Sequence, residues 1–437
     1  VVKLQQQAVV TITTLSHDGR GIAQQEGKTI FVERALPGEQ VEIEFYKRKS
    51  RYDEARTTRL LTSAPHRQDP QCPHFSICGG CSLQHMDGPT QIAHKQAILL
   101  ELLQHVGQVA PNRVLPAVTG LSYGYRRKAR LGVRYVNKKE KLLIGFREKQ
   151  GRYLADIEIC YVLDESVGQK IPILRDFLVQ LKTFQQIPQL EIAVGDDAAA
   201  IIIRHLVPLP ESDIELIQEF AKSEGFHIYL QPGGPATAHL IYPTLTKPRL
   251  SYRLTAYDLE MLFHPTDFTQ INREINEKMI QLAIELLAPT PQDNLLDLFC
   301  GIGNFSLPFA RYCEKVLGVE GCQEMVLRGY ENATHNQINN VDFECRNLAE
   351  INANDHWIKS NFTKALLDPP RVGAFEILPL LVNSNISQIL YVSCNPATLA
   401  RDAGYLCQHG FMLETVGVLD MFPHTSHVES IALFKRV

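Results

Sequence analysis

From about Asp258 to the end of the chain, seven short apolar segments alternate with amphipathic or turn-rich ones. The apolar segments are Asn294–Phe299, Lys315–Glu320, Val341–Arg346, Ala365–Asp368, Ile386–Ser393, Phe411–Leu419 and Ser430–Phe434. Segments before and between them, such as Ile271–Leu287 and Gln323–Asn339, place apolar residues at helical spacing. Few folds accommodate that alternation. It predicts a doubly wound α/β sheet of the Rossmann-like kind, with any ligand beyond the carboxyl ends of the strands.

The first of these strands runs into Phe299-Cys-Gly301-Ile-Gly303-Asn304-Phe-Ser306 and then a helix. Two glycines let the backbone turn tightly and approach a ligand where a Cβ would clash. Glu320 ends the next strand, 19 residues after Gly301, where a carboxylate can accept both hydroxyls of an adenosine ribose. Ser306 replaces the third glycine of a dinucleotide fingerprint, and Asp297 lies inside the first strand. A carboxylate there repels a pyrophosphate but suits a cationic sulfonium ligand, so S-adenosylmethionine is expected rather than NAD.

Two further strand tips carry chemistry: Asp368-Pro-Pro-Arg371 and Ser393-Cys394-Asn-Pro396. A lone cysteine is by default a small buried hydrophobe. Beside a methyl-donor loop it has a specific use. Carbon 5 of uracil is a poor nucleophile until a thiolate adds at carbon 6 and pushes electron density onto it. After methyl transfer, a base must remove the carbon-5 proton so that the thiol can leave.

The chain has 437 residues, 45% hydrophobic and 21% charged, which suggests about three domains. Its longest uninterrupted apolar stretch, Ala198–Ile203, is far short of the ~20 residues of a membrane-spanning helix. Val-Val-Lys-Leu at the start lacks a secretory layout, and the absent Met suggests that residues precede it. A cytoplasmic protein is expected. Residues 1–62 read as a small β-barrel of the oligonucleotide-binding kind, with strands at Ala8–Leu15, Thr29–Val32 and Gln40–Tyr46. A helix is predicted over Gln91–Val106, within an α+β region running from 63 to about 257 whose topology the pattern leaves open.

The net charge of −4 conceals two basic windows, Lys47–Arg59 with six Lys/Arg against two acids and Leu121–Arg152 with eleven against two. Local positive fields of this kind attract a phosphate backbone, although solvated basic faces are also common. Tyr46 and Tyr52 offer stacking surfaces within the first window. The spacing Cys72-x5-Cys78-x2-Cys81, with Gly79-Gly80 inside it, is a metal-ligand pattern that needs a fourth donor. Cys160 is the leading candidate, and His74 and His85 are alternatives. Residue chemistry leaves zinc and iron–sulfur open. The remaining cysteines, Cys300, Cys313, Cys322, Cys345 and Cys407, read as buried hydrophobes.

Taken together, Phe268-Thr-Gln270, the Asp297–Phe305 loop, Asp368-Pro-Pro-Arg371, Ser393-Cys-Asn-Pro396 and His427-Val-Glu429 resemble the RNA uracil-C5 methyltransferases. The resemblance implies Cys394 as nucleophile, Glu429 as the carbon-5 base, and Gln270, Phe299, Asn304, Glu320, Asn347 and Asp368 as cofactor-site positions. His427 is expected to be structural. Within that family, the chain looks like the branch acting on uridine 1939 of 23S ribosomal RNA. That branch implies a multidomain chain: an N-terminal TRAM barrel (1–62), a central α+β domain holding a 4Fe–4S cluster on Cys72, Cys78, Cys81 and Cys160 (63–257), and a class I methyltransferase domain (258–437). The transfer RNA branch is expected to lack both barrel and cluster. Four ligands close a cluster, which implies a structural role, and a monomer is expected.

Overall fold

The computed structural model describes residues 7–149, 151–246, 248–350 and 361–437. The first six residues, whose lack of a secretory layout was noted above, lie outside the described residues.

The N-terminal strands are β1 (Gln7–Thr11), β2 (Thr14–Leu15), β3 (Gly21–Gln25), β4 (Lys28–Glu33), β5 (Gln40–Arg48) and β6 (Tyr52–Thr62), in sheet order β1-β5-β6-β4-β3-β2. Since β1 leads straight into β2, and Thr13 N donates to Ile22 O (2.8 Å), the sheet closes on itself as a barrel. Val10, Ile12, Ile30, Val32, Val41 and Ile43 fill it. The basic run Lys47–Arg59 belongs to the barrel as the end of β5, the turn after it and most of β6. Several of its charges are spent on cross-strand partners, including Arg56–Glu44 (2.5 Å) and Lys47–Glu54 (3.4 Å).

The predicted helix is Gly88–Leu102. Asp87 caps it by accepting from Thr90 N, and it ends in a wide π-type turn at Leu103–Gly107. This helix packs on the C-terminal sheet rather than on the central one, placing Leu99 and Leu103 in that core. At the contact with helix Pro396–Gln408 the two backbones nearly touch: a Cβ on Gly404 would lie 2.7 Å from Gly107 O. The short strand β7 (Arg113–Val114) then joins the edge of the C-terminal sheet.

The central sheet contains β8 (Lys128–Val136), β9 (Lys141–Gly145), β10 (Gln189–Val194), β11 (Ala199–Arg204), β12 (Phe226–Gln231) and β13 (His239–Tyr242), in order β13-β12-β11-β10-β8-β9. The apolar run at Ala198–Ile203 becomes β11, an inner strand buried along almost its whole length. A hairpin of β14 (Leu250–Leu254) and β15 (Leu259–Phe263) follows.

The last sheet is built from β16 (Asn294–Leu298), β17 (Lys315–Glu320), β18 (Val341–Cys345), β19 (Lys364–Leu367), β20 (Gln388–Ser393), β21 (Phe411–Leu419) and β22 (Glu429–Arg436). Its order is β18-β17-β16-β19-β20-β22-β21-β7. All seven predicted strands are present within two residues at each end. Successive residues face opposite sides of the sheet. Leu295, Leu366, Leu390 and Leu433 pack toward helix Arg273–Leu287, while Leu296, Leu367, Ile389 and Phe434 pack toward helices Gly88–Leu102 and Pro396–Gln408. The chain reverses direction across the sheet between β16 and β19, which opens a crevice at their carboxyl ends.

Candidate functional site

A cleft of about 780 Å³ occupies that crevice, and Gln270, Phe299, Asn304, Glu320, Asn347, Asp368, Cys394 and Glu429 all line it. Strand ends explain the convergence. Phe299, Asp368 and Cys394 directly follow the adjacent parallel strands β16, β19 and β20. Strand β22 runs antiparallel to β20 with Ser393 opposite Ser430. That register sets Glu429 across from Cys394, although the sequence separates them widely.

The loop after β16 is shaped for a close-lying ligand. Gly301 (φ +56°) and Gly303 (φ +89°) adopt left-handed backbone, and a Cβ on Gly301 would meet no protein atom within 4 Å. Glu320 is fixed by accepting from Gly301 N (3.1 Å) and Cys322 N (3.0 Å), which leaves lone pairs free for ribose hydroxyls. These features fit S-adenosylmethionine.

One sequence expectation needs correction. Asp297 is fully buried beneath the loop and bonds Ser306 Oγ (2.5 Å). It supports the loop and does not face a ligand. Asn304 reaches the cleft, but its amide is held by Tyr252 Oη (2.8 Å) and, reciprocally, by Asn276 (2.8 and 3.0 Å). No spacing signal pointed to Tyr252 or Asn276. Among the other cysteines, Cys300 and Cys313 are buried as expected, whereas Cys322, Cys345 and Cys407 are half-buried and Cys322 lies on the cleft wall.

Burial disfavours ionisation of the acidic groups of the cleft, and neighbouring carboxylates add to it at Glu429 and Cys394. Burial pushes Asp368 up to about 7, with Gln270 Nε2 donating to it at 3.3 Å. Burial, followed by the Asp368 charge, raises Glu429 well above the usual carboxylate range, and Arg371 opposes the shift. Burial and the Glu429 and Asp368 carboxylates lift the Cys394 thiol to about 11. Such a site favours a cation. S-adenosylmethionine binding is therefore expected to expel a proton from Asp368, so affinity should fall by up to about tenfold per pH unit below pH 7. Calorimetry in two buffers of different ionisation heat reads that proton. S-adenosylhomocysteine, which lacks the sulfonium, should show a much smaller release, and equal release by both ligands would refute this electrostatic account.

The four cysteines named above also come together. Cys72, Cys78, Cys81 and Cys160 line one cavity of about 310 Å³, and Gly80 N donates to Cys78 Sγ (3.4 Å). His74 borders the cavity, but its Nε2 already accepts from Glu158 N (3.0 Å). His85 is buried outside the cavity. Among the described residues, no three His, Cys, Asp or Glu side chains gather closely enough to hold a metal ion. The four thiols of the expected ligand set therefore share one cavity without converging on a single point.

The expected basic grip is only partly free. Arg127 pairs with Asp196 (2.5 Å), Arg126 Nε donates to Lys128 O (2.9 Å) and Lys128 Nζ donates to Asp267 O. These side chains are half-buried fold contacts, while Arg134, Lys138 and Lys139 on the same stretch are exposed.

A family model described as tRNA (Uracil-5-)-methyltransferase matches residues 244–437, and a TRAM domain model matches residues 5–57. The 23S rRNA (uracil(1939)-C(5))-methyltransferase of Alcanivorax borkumensis is 48% identical over 427 residues, spanning 98% of this chain and 96% of that one. The Hahella chejuensis protein of the same description is 48% identical over 440 residues, spanning 99% and 98%. Among solved structures, the Pyrococcus abyssi tRNA (uracil-54, C5)-methyltransferase in complex with S-adenosyl-L-homocysteine superposes with a TM-score of 0.76 at 22% identity. That match covers 98% of this chain and 99% of the other. Because the shared fold extends over the barrel, the expectation that transfer RNA enzymes lack it does not hold for this one.

Proposed function

The chain belongs to the RNA uracil-C5 methyltransferase family, and from that membership we infer that it methylates carbon 5 of uridine 1939 in 23S ribosomal RNA, using S-adenosylmethionine. The observation that carries the choice of RNA is the 48% identity to enzymes of that description along 98% of the chain. The fold alone does not separate ribosomal from transfer RNA.

In the reading we propose, the Cys394 thiolate adds to carbon 6 of a uracil that has left its stack, a cost of a few kcal/mol that favours an unpaired site. S-adenosylmethionine supplies an electrophilic methyl group to the carbon-5 enolate. Asp368 and Gln270 belong to the cofactor site, and Asp368 also orients the pyrimidine edge. Phe299, Asn304, Glu320 and Asn347 form the cofactor wall. Glu429 then takes the carbon-5 proton, the carbon–sulfur bond breaks, and the thiolate is released. Arg371, whose charge opposes the rise at both Glu429 and Cys394, offsets their mutual repulsion.

We also assign Cys72, Cys78, Cys81 and Cys160 as ligands of a 4Fe–4S cluster with a structural role. The domain division 1–62, 63–257 and 258–437 is our assignment too, with residues from the helix at 88 through β7 lying spatially on the C-terminal sheet. Among the described residues no helix is long and apolar enough to cross a membrane, and we place the protein with its ribosomal substrate in the cytoplasm, as a monomer.

Tritiated-methyl transfer to unmodified 23S and transfer RNA, with mapping of the product, tests the substrate. Label at uridine 1939 alone is expected, and preferential labelling of transfer RNA would overturn the assignment. The barrel should contribute through phosphate contacts. Replacing exposed Lys49 and Arg51 by Ala should reduce the slope of log affinity against log salt by about 1.4, at ~0.7 per phosphate on single strands. An unchanged slope would move the RNA path off the barrel.

A further inference from the structure

The cluster cavity and the catalytic cleft share a wall. Residues 420–428 connect β21 to β22. Within that connection, Thr425, Ser426 and His427 border the cysteine cavity, His427 also borders the cleft, and Glu429 follows two residues later. Besides a turn of its own, in which Thr425 Oγ1 donates to Phe422 O (2.9 Å), the connection is anchored from other segments. Lys95, completely buried, donates to Asp420 Oδ1 (2.7 Å) and Phe422 O (3.0 Å), and Tyr125 Oη donates to Pro423 O (3.0 Å).

His424 is the decisive residue. Its φ of +65° is left-handed, a conformation that a non-glycine side chain keeps only when its surroundings over-determine it. Here they do. His424 N donates to Gln91 Oε1 (2.9 Å), and His424 O accepts from both Ser82 N and Leu83 N (2.9 Å each). Gln91 Nε2 reaches back to Leu83 O (3.2 Å) and Met86 O (2.8 Å). Ser426 N donates to Ser82 Oγ (3.0 Å). One buried amide therefore ties the loop that begins at Cys81 to the strand that begins at Glu429.

We infer that Gln91, with Lys95 and Ser82, is a positioning residue for the elimination step, holding the 420–428 connection in the strained form that aims Glu429 at carbon 5. This rests on the proposed covalent route. In that step the Glu429 carboxylate accepts the carbon-5 proton, the carbon–hydrogen pair becomes the carbon 5–carbon 6 double bond, and the carbon 6–sulfur pair leaves on Cys394. Methyl transfer itself needs Cys394 and the cofactor wall, which stand on the strand tips from β16 to β20, while Phe422 and His427 of the connection border the cleft. The bridge should thus act on release of the product and not on its formation. It also gives the cluster loop a defined effect on catalysis without any electron transfer.

The test compares full-length Gln91→Met with wild type on ordinary-uridine 23S fragments, reading first-turnover methyl transfer, kcat, S-adenosylmethionine affinity and denaturant-stable protein–RNA adduct. For Gln91→Met, kcat should fall about 10- to 100-fold, the scale of a roughly 1 Å misplacement, while first-turnover transfer and cofactor affinity stay near wild type and methylated adduct accumulates. Unchanged kcat would overturn the inference, as would equal losses in transfer and turnover without adduct. If Gln91→Met fails to fold, Ser82→Ala removes a single bond of the same bridge. A smaller adduct build-up, reversed in Ser82→Thr, is then expected, and its absence counts against the bridge. Glu429→Gln serves as the control: no adduct there would refute the underlying route, whereas adduct there but none in the bridge variants would refute only the coupling.

Discussion

Glu429→Gln protein is expected to methylate one uridine per enzyme molecule and then stop, still bonded to its RNA. Glu429 is buried, with 4% of its surface exposed, and sits opposite Cys394 through the Ser393–Ser430 pairing. Glutamine keeps the shape and hydrogen-bonding reach but cannot accept the carbon-5 proton. Removing a positioned general base costs about 10²- to 10⁴-fold in rate, and that loss should fall on steady-state turnover, leaving the first methyl transfer largely intact. The checking measurement is a denaturing gel with methyl-labelled cofactor, in which label should migrate with the protein–RNA complex. Rapid release of methylated RNA by this variant would assign the base elsewhere. The suppressed ionisation of Glu429, caused by its burial and the Asp368 charge, adds a sign. The charged form must exist for elimination, so wild-type kcat should rise with pH wherever elimination limits turnover.

Cys394→Ala should abolish methylation while leaving cofactor binding in place. Loss of a covalent nucleophile costs on the order of 10⁴-fold or more, because the unassisted uracil carbon has no other route to an enolate in this cleft. The cofactor wall is built on β16, β17 and the tip of β18, so S-adenosylmethionine should bind the variant within a fewfold of wild type, as read by calorimetry. Since Cys394 is lifted to about 11 in the ligand-free protein by burial and two carboxylates, its alkylation by iodoacetamide should be slow at pH 7 and accelerate as pH rises. Full methylation by Cys394→Ala would contradict a thiolate mechanism.

What could be read from residue order follows a physical divide. The inner C-terminal strands are buried on both faces and read as plain apolar runs, edge strand β18 keeps an apolar–polar alternation, and all seven emerged at nearly their true bounds. The Gly301/Gly303 loop and the proline-fixed tips after Asp368 and Cys394 were legible because local backbone geometry dictates those residue types. The central sheet was not, since its neighbours β8 and β10 lie far apart in the chain and antiparallel pairing leaves no local trace. The same holds for charge. Arg127 and Lys128 read as an open basic patch, yet Asp196 and the Asp267 carbonyl take them up from distant segments. Three of the four cysteines around the shared cavity formed a recognisable spacing, whereas Cys160 was the leading candidate for a fourth donor with no spacing to support it. The Gln91–His424 bridge spans 333 positions and left no signal in the sequence, although it connects two motifs that did.

The most direct test of the covalent account uses 23S fragments carrying 5-fluorouridine at position 1939, incubated with S-adenosylmethionine, followed by denaturation and peptide mapping. Fluorine cannot be removed as a proton is, so elimination is blocked after methyl transfer. A methylated RNA adduct on the peptide bearing Cys394 is the expected result. Bound RNA with no adduct, or an adduct on another residue, would contradict the mechanism.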